Sequence, residues 1–98
     1  MYRVEVSQAA RTDLTEIDDY GLDRFGREAA DRMSAGIYAT FSMLAEYPES
    51  APERPEYGKG LRCKMCGVYR ILYSFDGQQV LILRVMHHSR DVDQTADR

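Results

Sequence analysis

Two histidines and an arginine stand close together in the run Met86-His87-His88-Ser89-Arg90-Asp91. An imidazole beside guanidinium groups can move a proton and clamp a phosphate, the combination that RNA cleavage through the 2′-hydroxyl requires. Two more arginines, Arg70 and Arg84, lie just upstream inside apolar runs, where a cation needs a partner or a wet groove. The same cluster also reads as an ordinary strand end whose charges are satisfied by Asp91 or Asp93. A second candidate is the lone pair Cys63-Lys64-Met65-Cys66. A structural zinc takes four ligands, so His87 and His88 would have to complete the set. Strand residues three apart point to opposite faces, which favours ordinary packing of the two thiols. No metal and no cofactor are expected.

These residues need elements to position them. Val68 to Phe75 alternates, with Tyr69, Ile71, Tyr73 and Phe75 on one face and Val68, Arg70, Leu72 and Ser74 on the other. Asp76-Gly77 follows as a hairpin signal, because glycine supplies the positive φ of a tight two-strand connection. Val80 to Met86 is apolar on both faces except at Arg84, so it belongs at the centre of a sheet. Leu61 to Cys66 and Tyr2 to Val6 alternate as well, giving two further strands.

Between the first strand and the last three, the period changes to that of a helix. Ser7 is placed to cap a helix whose inner stripe is Ala10, Leu14, Ile17, Gly21/Leu22 and Phe25, with Asp13, Glu16, Asp19 and Asp23 on a solvated face. Gly26 breaks it. A second helix runs from about Arg27 to Tyr47 on the stripe Ala30, Met33, Ile37, Phe41 and Leu44, and Gly36 within it points to close packing against the first helix. Pro48 stops it, and Pro48 to Gly60 is a crossover loop. The order is β-α-α-β-β-β, an α+β fold with a helical hairpin on one face of a mostly antiparallel sheet.

One domain spanning residues 1–98 is the expectation for this length. No stretch approaches the ~20 apolar residues of a membrane helix, and the N-terminus has no signal-peptide character, so a cytosolic protein is expected. The net charge of −3 is unevenly spread. Residues 1–56 carry six Lys/Arg against twelve Asp/Glu, whereas residues 57–90 carry six against Asp76 alone. A basic sheet half could meet nucleic acid or an acidic protein segment. The acidic total argues against general or sequence-specific nucleic-acid binding.

Several motifs together resemble the RelE/ParE toxin superfamily, and its ParE branch more than its RelE branch. They are Ser7-Gln8-Ala9-Ala10 with Asp13-Leu14 and Ile17; Arg24-Phe25-Gly26; Gly60-Leu61-Arg62; Tyr69-Arg70-Ile71-Leu72-Tyr73; and Arg84 through Asp91. The resemblance covers nearly the whole chain in order. It implies the toxin half of a type II toxin–antitoxin pair of the kind that stabilises plasmids or chromosomal islands. It further implies neutralisation by a ParD-like ribbon-helix-helix antitoxin and, in the ParE branch, DNA gyrase as the target, with the toxin acting by binding and not as an enzyme. The target surface is then expected at Arg84, His87, His88 and Arg90, and the antitoxin groove near Leu14, Ile17, Met33 and Ile37. The alternative is a RelE-like ribosome-dependent mRNA endoribonuclease using Arg70, His87, His88 and Arg90. Nothing aromatic follows Arg90, and the basic cluster around Arg62 and Lys64 is thin, which weighs against that branch. A blander alternative is an interaction domain that kept the fold and lost toxicity.

Overall fold

The structure is a computed structural model and describes residues 1–89. The chain forms β1 (Arg3–Val6), α1 (Gln8–Phe25), α2 (Arg27–Glu46), a short 3-10 turn (Pro55–Tyr57), β2 (Leu61–Cys66), β3 (Tyr69–Phe75) and β4 (Gln79–His87). The four strands make one sheet in the order β1-β4-β3-β2. β2, β3 and β4 are antiparallel neighbours, and β1 pairs with β4 in parallel. This is the α+β arrangement expected, with β4 internal as its two-sided apolar run requires.

The main core lies between the helical hairpin and one face of the sheet. Ala10 and Ile17 of α1, with Ile37, Phe41 and Leu44 of α2, meet Tyr69, Ile71 and Tyr73 of β3 and Val80, Ile82 and Val85 of β4. The crossover loop is tied to this core by Tyr73, whose hydroxyl donates to the Pro48 carbonyl at 2.8 Å. A smaller cluster on the opposite face joins Leu72 and Met86, with Tyr57, Leu61 and Cys63 packed on it. Cys63 thus belongs to one face, whereas Cys66 packs against the helix-side core, and both thiols are free.

The helix ends follow local chemistry. Ser7 Oγ accepts the Ala10 N–H at 3.0 Å and donates to the Leu83 carbonyl at 2.9 Å, joining the start of α1 to β4. Gly26, at φ +89°, lets α1 stop and α2 begin without an intervening loop.

Three expectations are corrected. Asp13 is not on a solvated face but 7% exposed, because the inward stripe is Ala10, Asp13, Ile17 and Gly21. That rotation leaves Leu22 and Phe25 exposed, with Phe25 edge-on to Tyr20 at 6.3 Å. The close approach of the two helices is at Gly21, where a Cβ would lie 3.4 Å from that of Ala30. Gly36 instead faces the sheet, where the nearest atom to an added Cβ is Cys66 Sγ at 3.9 Å.

The β3–β4 turn is organised by Asp76, whose Oδ1 accepts the N–H groups of Gln78 and Gln79, both at 2.8 Å. These donors hold the carboxyl below its ordinary value of 3.8. A lowered folded value means that the turn's contribution is present above the unfolded value and is lost as pH falls through the folded one. Wild type and Asp76→Asn are therefore expected to differ in urea midpoint at neutral pH and to converge in acid. Parallel curves across that range would remove the assignment.

Candidate functional site

The geometry of β4 depends on where β1 ends. β1 pairs only with Gln79–Ile82, and the β1-side edge of β4 continues beyond it. Backbone groups left there need partners. Ser7 takes the Leu83 carbonyl, and Asp13 takes the Val85 N–H through Oδ2 at 2.9 Å. The same carboxylate holds Arg84 in a two-point ion pair, Nε to Oδ2 at 2.8 Å and Nη2 to Oδ1 at 2.9 Å. Asp13 raises the pKa of the Arg84 guanidinium, chiefly through these hydrogen bonds and against the cost of burial. A register shift between Leu72 and Tyr73 leaves Leu83 as an extra residue on β4 next to Arg84. Arg84 is accordingly a fastening between sheet and α1.

His87 is the last residue of β4, exposed, and opposite Tyr69 in the ladder. Its Nδ1 accepts the Ser89 N–H at 3.2 Å and lies 2.8 Å from Ser89 Oγ, so Nε2 is the nitrogen left to donate. The ring stacks on His88 at 4.6 Å and meets Tyr69 edge-on at 5.8 Å. The His88 backbone N–H donates to the Val68 carbonyl at 2.7 Å, which ties the end of β4 to the β2–β3 turn. Arg90 lies outside the described residues.

Arg70 is elsewhere. It pairs with Met65 and Met86 in the ladder, one position from Tyr69 and His87, and therefore projects from the opposite face. Its Nη1 donates to the Tyr57 hydroxyl at 3.0 Å. Arg70 and His87 are thus brought to one end of the sheet but not to one site.

Two cavities flank the helical hairpin. One, of about 690 Å³, lies along α1 and α2 with Leu14, Ile17, Ile37 and Tyr38 in its wall and Arg11, Asp18, Arg27 and Asp31 around it. The other, of about 540 Å³, lies between the hairpin and the end of the sheet, lined by Ile17, Tyr20, Phe25, Met33, Val68 and His87 among others. Of the four groove residues expected from sequence, Ile17 and Ile37 are core, at 8% and 1% exposed. Leu14 and Met33 are partly exposed and sit in different cavities. The exposed rings of Tyr20 and Phe25 and the side chain of Val68 were missed by the sequence reading, as was the Asp13–Arg84 fastening. The 3-4-4 spacing of Ala10, Asp13, Ile17 and Gly21 was the available signal for the latter.

Residues 4–92 match the family model described as the ParE toxin of the type II toxin–antitoxin system parDE. Toxin ParE1 of Caulobacter vibrioides is 32% identical over 84 residues, 86% of each chain. Among solved structures, a chain of the chromosomal ParDE system from P. aeruginosa superposes with a TM-score of 0.77 at 21% identity, covering 89% of this chain and 96% of that one. A chain of the toxin–antitoxin complex RelBE2 from Mycobacterium tuberculosis gives 0.66 at 30% identity, covering 88% and 96%.

Proposed function

Because this chain belongs to the ParE family of toxins of type II toxin–antitoxin systems, we propose that it acts by binding DNA gyrase and is neutralised by a ParD-like ribbon-helix-helix antitoxin. The observation that carries a binding role over catalysis is the separation of Arg70 and His87 onto opposite faces of the sheet. Phosphodiester cleavage needs its acid/base and its phosphate clamp around one reacting centre. Here His87 lines a mainly apolar cavity with Tyr20, Phe25 and Val68, the composition of a protein contact surface. His87 and His88 are the target contacts in this reading. Arg84 supports them through α1 and does not itself reach out.

The antitoxin would lay an amphipathic helix along the cavity at Leu14, with Ile17 and Ile37 as the floor beneath it, and continue over the sheet. The second reading, a RelE-like ribonuclease, is favoured by the likeness to the RelBE2 toxin–antitoxin complex.

The test is a DNA gyrase supercoiling reaction with antitoxin-free protein. Lost supercoiling with trapped cleaved DNA is expected, and the double substitution His87→Ala/His88→Ala is expected to raise the concentration required about tenfold, in line with truncating two rim-to-core contacts. Untouched gyrase with arrested translation in the same preparation would instead establish the ribonuclease reading.

A further inference from the structure

The sheet face turned away from the helices is apolar and, among the described residues, holds one charge without a carboxylate partner. Leu72 and Met86 are its floor, at 6% and 3% exposed, with Leu61, Cys63 and Tyr57 packed on them and Met65 at the rim. Arg70 stands among them between Met65 and Met86 and is itself partly buried. Arg3, Arg27, Arg32, Arg54, Arg62 and Arg84 each have a carboxylate within ion-pair distance. Among the described residues, Arg11, Arg24 and Arg70 have none, and of these three only Arg70 is partly buried. Among the described residues its side-chain partner is the Tyr57 hydroxyl, which leaves most of the guanidinium's five donors without an acceptor from them. A cation on a half-dry apolar face is costly unless an anion meets it.

The neighbourhood keeps that charge in place. Arg54 lies over the Tyr57 ring at 5.1 Å while pairing with Glu56 at 2.6 Å, so the tyrosine that orients Arg70 also carries a second, paired arginine on its ring. Both arginines act electrostatically on the Cys63 thiol, whose pKa burial nevertheless pushes up. The guanidinium of Arg70 is therefore positioned by a tyrosine and held over hydrophobic groups, with its fork open for a carboxylate.

We propose that this face is a docking surface for an apolar peptide segment carrying a carboxylate that pairs with Arg70. The inference rests on the antitoxin reading above, and the segment is the part of the antitoxin that crosses the sheet. The chemistry fits a peptide better than RNA. A nucleic-acid face needs a run of cations along the phosphates and open aromatic platforms. Here Arg70 stands alone among Leu72, Met86 and Met65, and Arg54 already covers the Tyr57 ring. Lys64 pairs with Ile71 and Arg62 with Tyr73 in the ladder, which places both on the helix side of the sheet.

The experiment measures affinity between this chain and a ParD-like ribbon-helix-helix antitoxin, the two co-expressed, purified and separated. Arg70→Met is expected to weaken binding tenfold or more and to flatten its salt dependence, with Arg70→Lys retaining part of the affinity. It is expected to leave the melting temperature unchanged or raised, because no carboxylate among the described residues loses a partner. Met65→Asp, at an exposed rim position of the same face, is expected to weaken binding as well, and it serves as the test if the Arg70 variant is poorly folded. Affinity within twofold of wild type in both variants overturns the inference. In that case Leu14→Glu, in the helical groove, still reports whether the antitoxin reading itself holds. Absence of any binding by the wild type removes both. A fluorescein-labelled single-stranded RNA whose binding is lost in Arg70→Met, with antitoxin affinity unchanged, would assign the site to nucleic acid and overturn the peptide proposal.

Discussion

Replacing Asp13 by alanine is expected to lower the thermal midpoint of the isolated toxin by about 12–24 °C. The variant strands two groups at once, the Arg84 guanidinium and the Val85 N–H on the edge of β4 that β1 does not reach. Removing one partner of a buried ion pair costs about 3–5 kcal/mol, and Arg84 retains some solvent, so the lower end of ~3 kcal/mol applies. In a domain of this size each kcal/mol moves the midpoint by roughly 4–8 °C. Asp13→Asn keeps an acceptor for the Val85 N–H and is expected to fall between wild type and alanine. The double variant Asp13→Leu/Arg84→Met is expected to recover the part of the loss due to the isolated charge but not the part due to the Val85 N–H, which still lacks its acceptor. Melting curves at 222 nm compare the four proteins. Single variants that melt within a few degrees of wild type would mean that water, and not this pair, satisfies the edge.

Leu14→Glu is expected to weaken the antitoxin at least 100-fold while leaving the toxin folded. Leu14 is partly exposed in the wall of the larger cavity, so a glutamate there is solvated in the free protein and is desolvated without a partner in the complex. A penalty of roughly 3 kcal/mol corresponds to about 100-fold in affinity. Ile17→Glu and Ile37→Glu are the informative contrast. Both side chains are inside the core, so these variants are expected to fail to fold instead of separating folding from binding. Titration of the purified pair, with a melt of each free toxin, distinguishes the cases. Unchanged affinity for a folded Leu14→Glu would move the antitoxin off this groove.

The alternation of Tyr69, Ile71 and Tyr73 and the two-sided run after Gln79 were enough to place β3 and β4 and to make β4 internal. The caps were equally readable, since Ser7 and Gly26 act through local backbone chemistry. The parallel pairing of β1 with β4 was not, because nothing within either segment encodes a partner far along the chain. Asp13 was misassigned because a charge on an amphipathic helix defaults to solvent, and only its partner on another element reverses that. The separation of Arg70 from His87 could have been counted from their strands, but only once the register joined Tyr69 to His87.

The pairing of the first strand with the last also governs when the molecule can form. The sheet closes between Arg3–Val6 and Gln79–Ile82, and the Ser7 hydroxyl reaches Leu83 across 76 positions of sequence. Contacts so distant require the intervening chain to be ordered before they return any stability, which slows folding. During synthesis, which proceeds from the N-terminus, β1 has no strand to join until β4 has been made. The helical hairpin, a local unit, can assemble first. A ribosome-bound chain thus exposes its helical groove before it owns a complete sheet, and an antitoxin reading that groove would meet a nascent toxin earlier than any target that reads the end of β4.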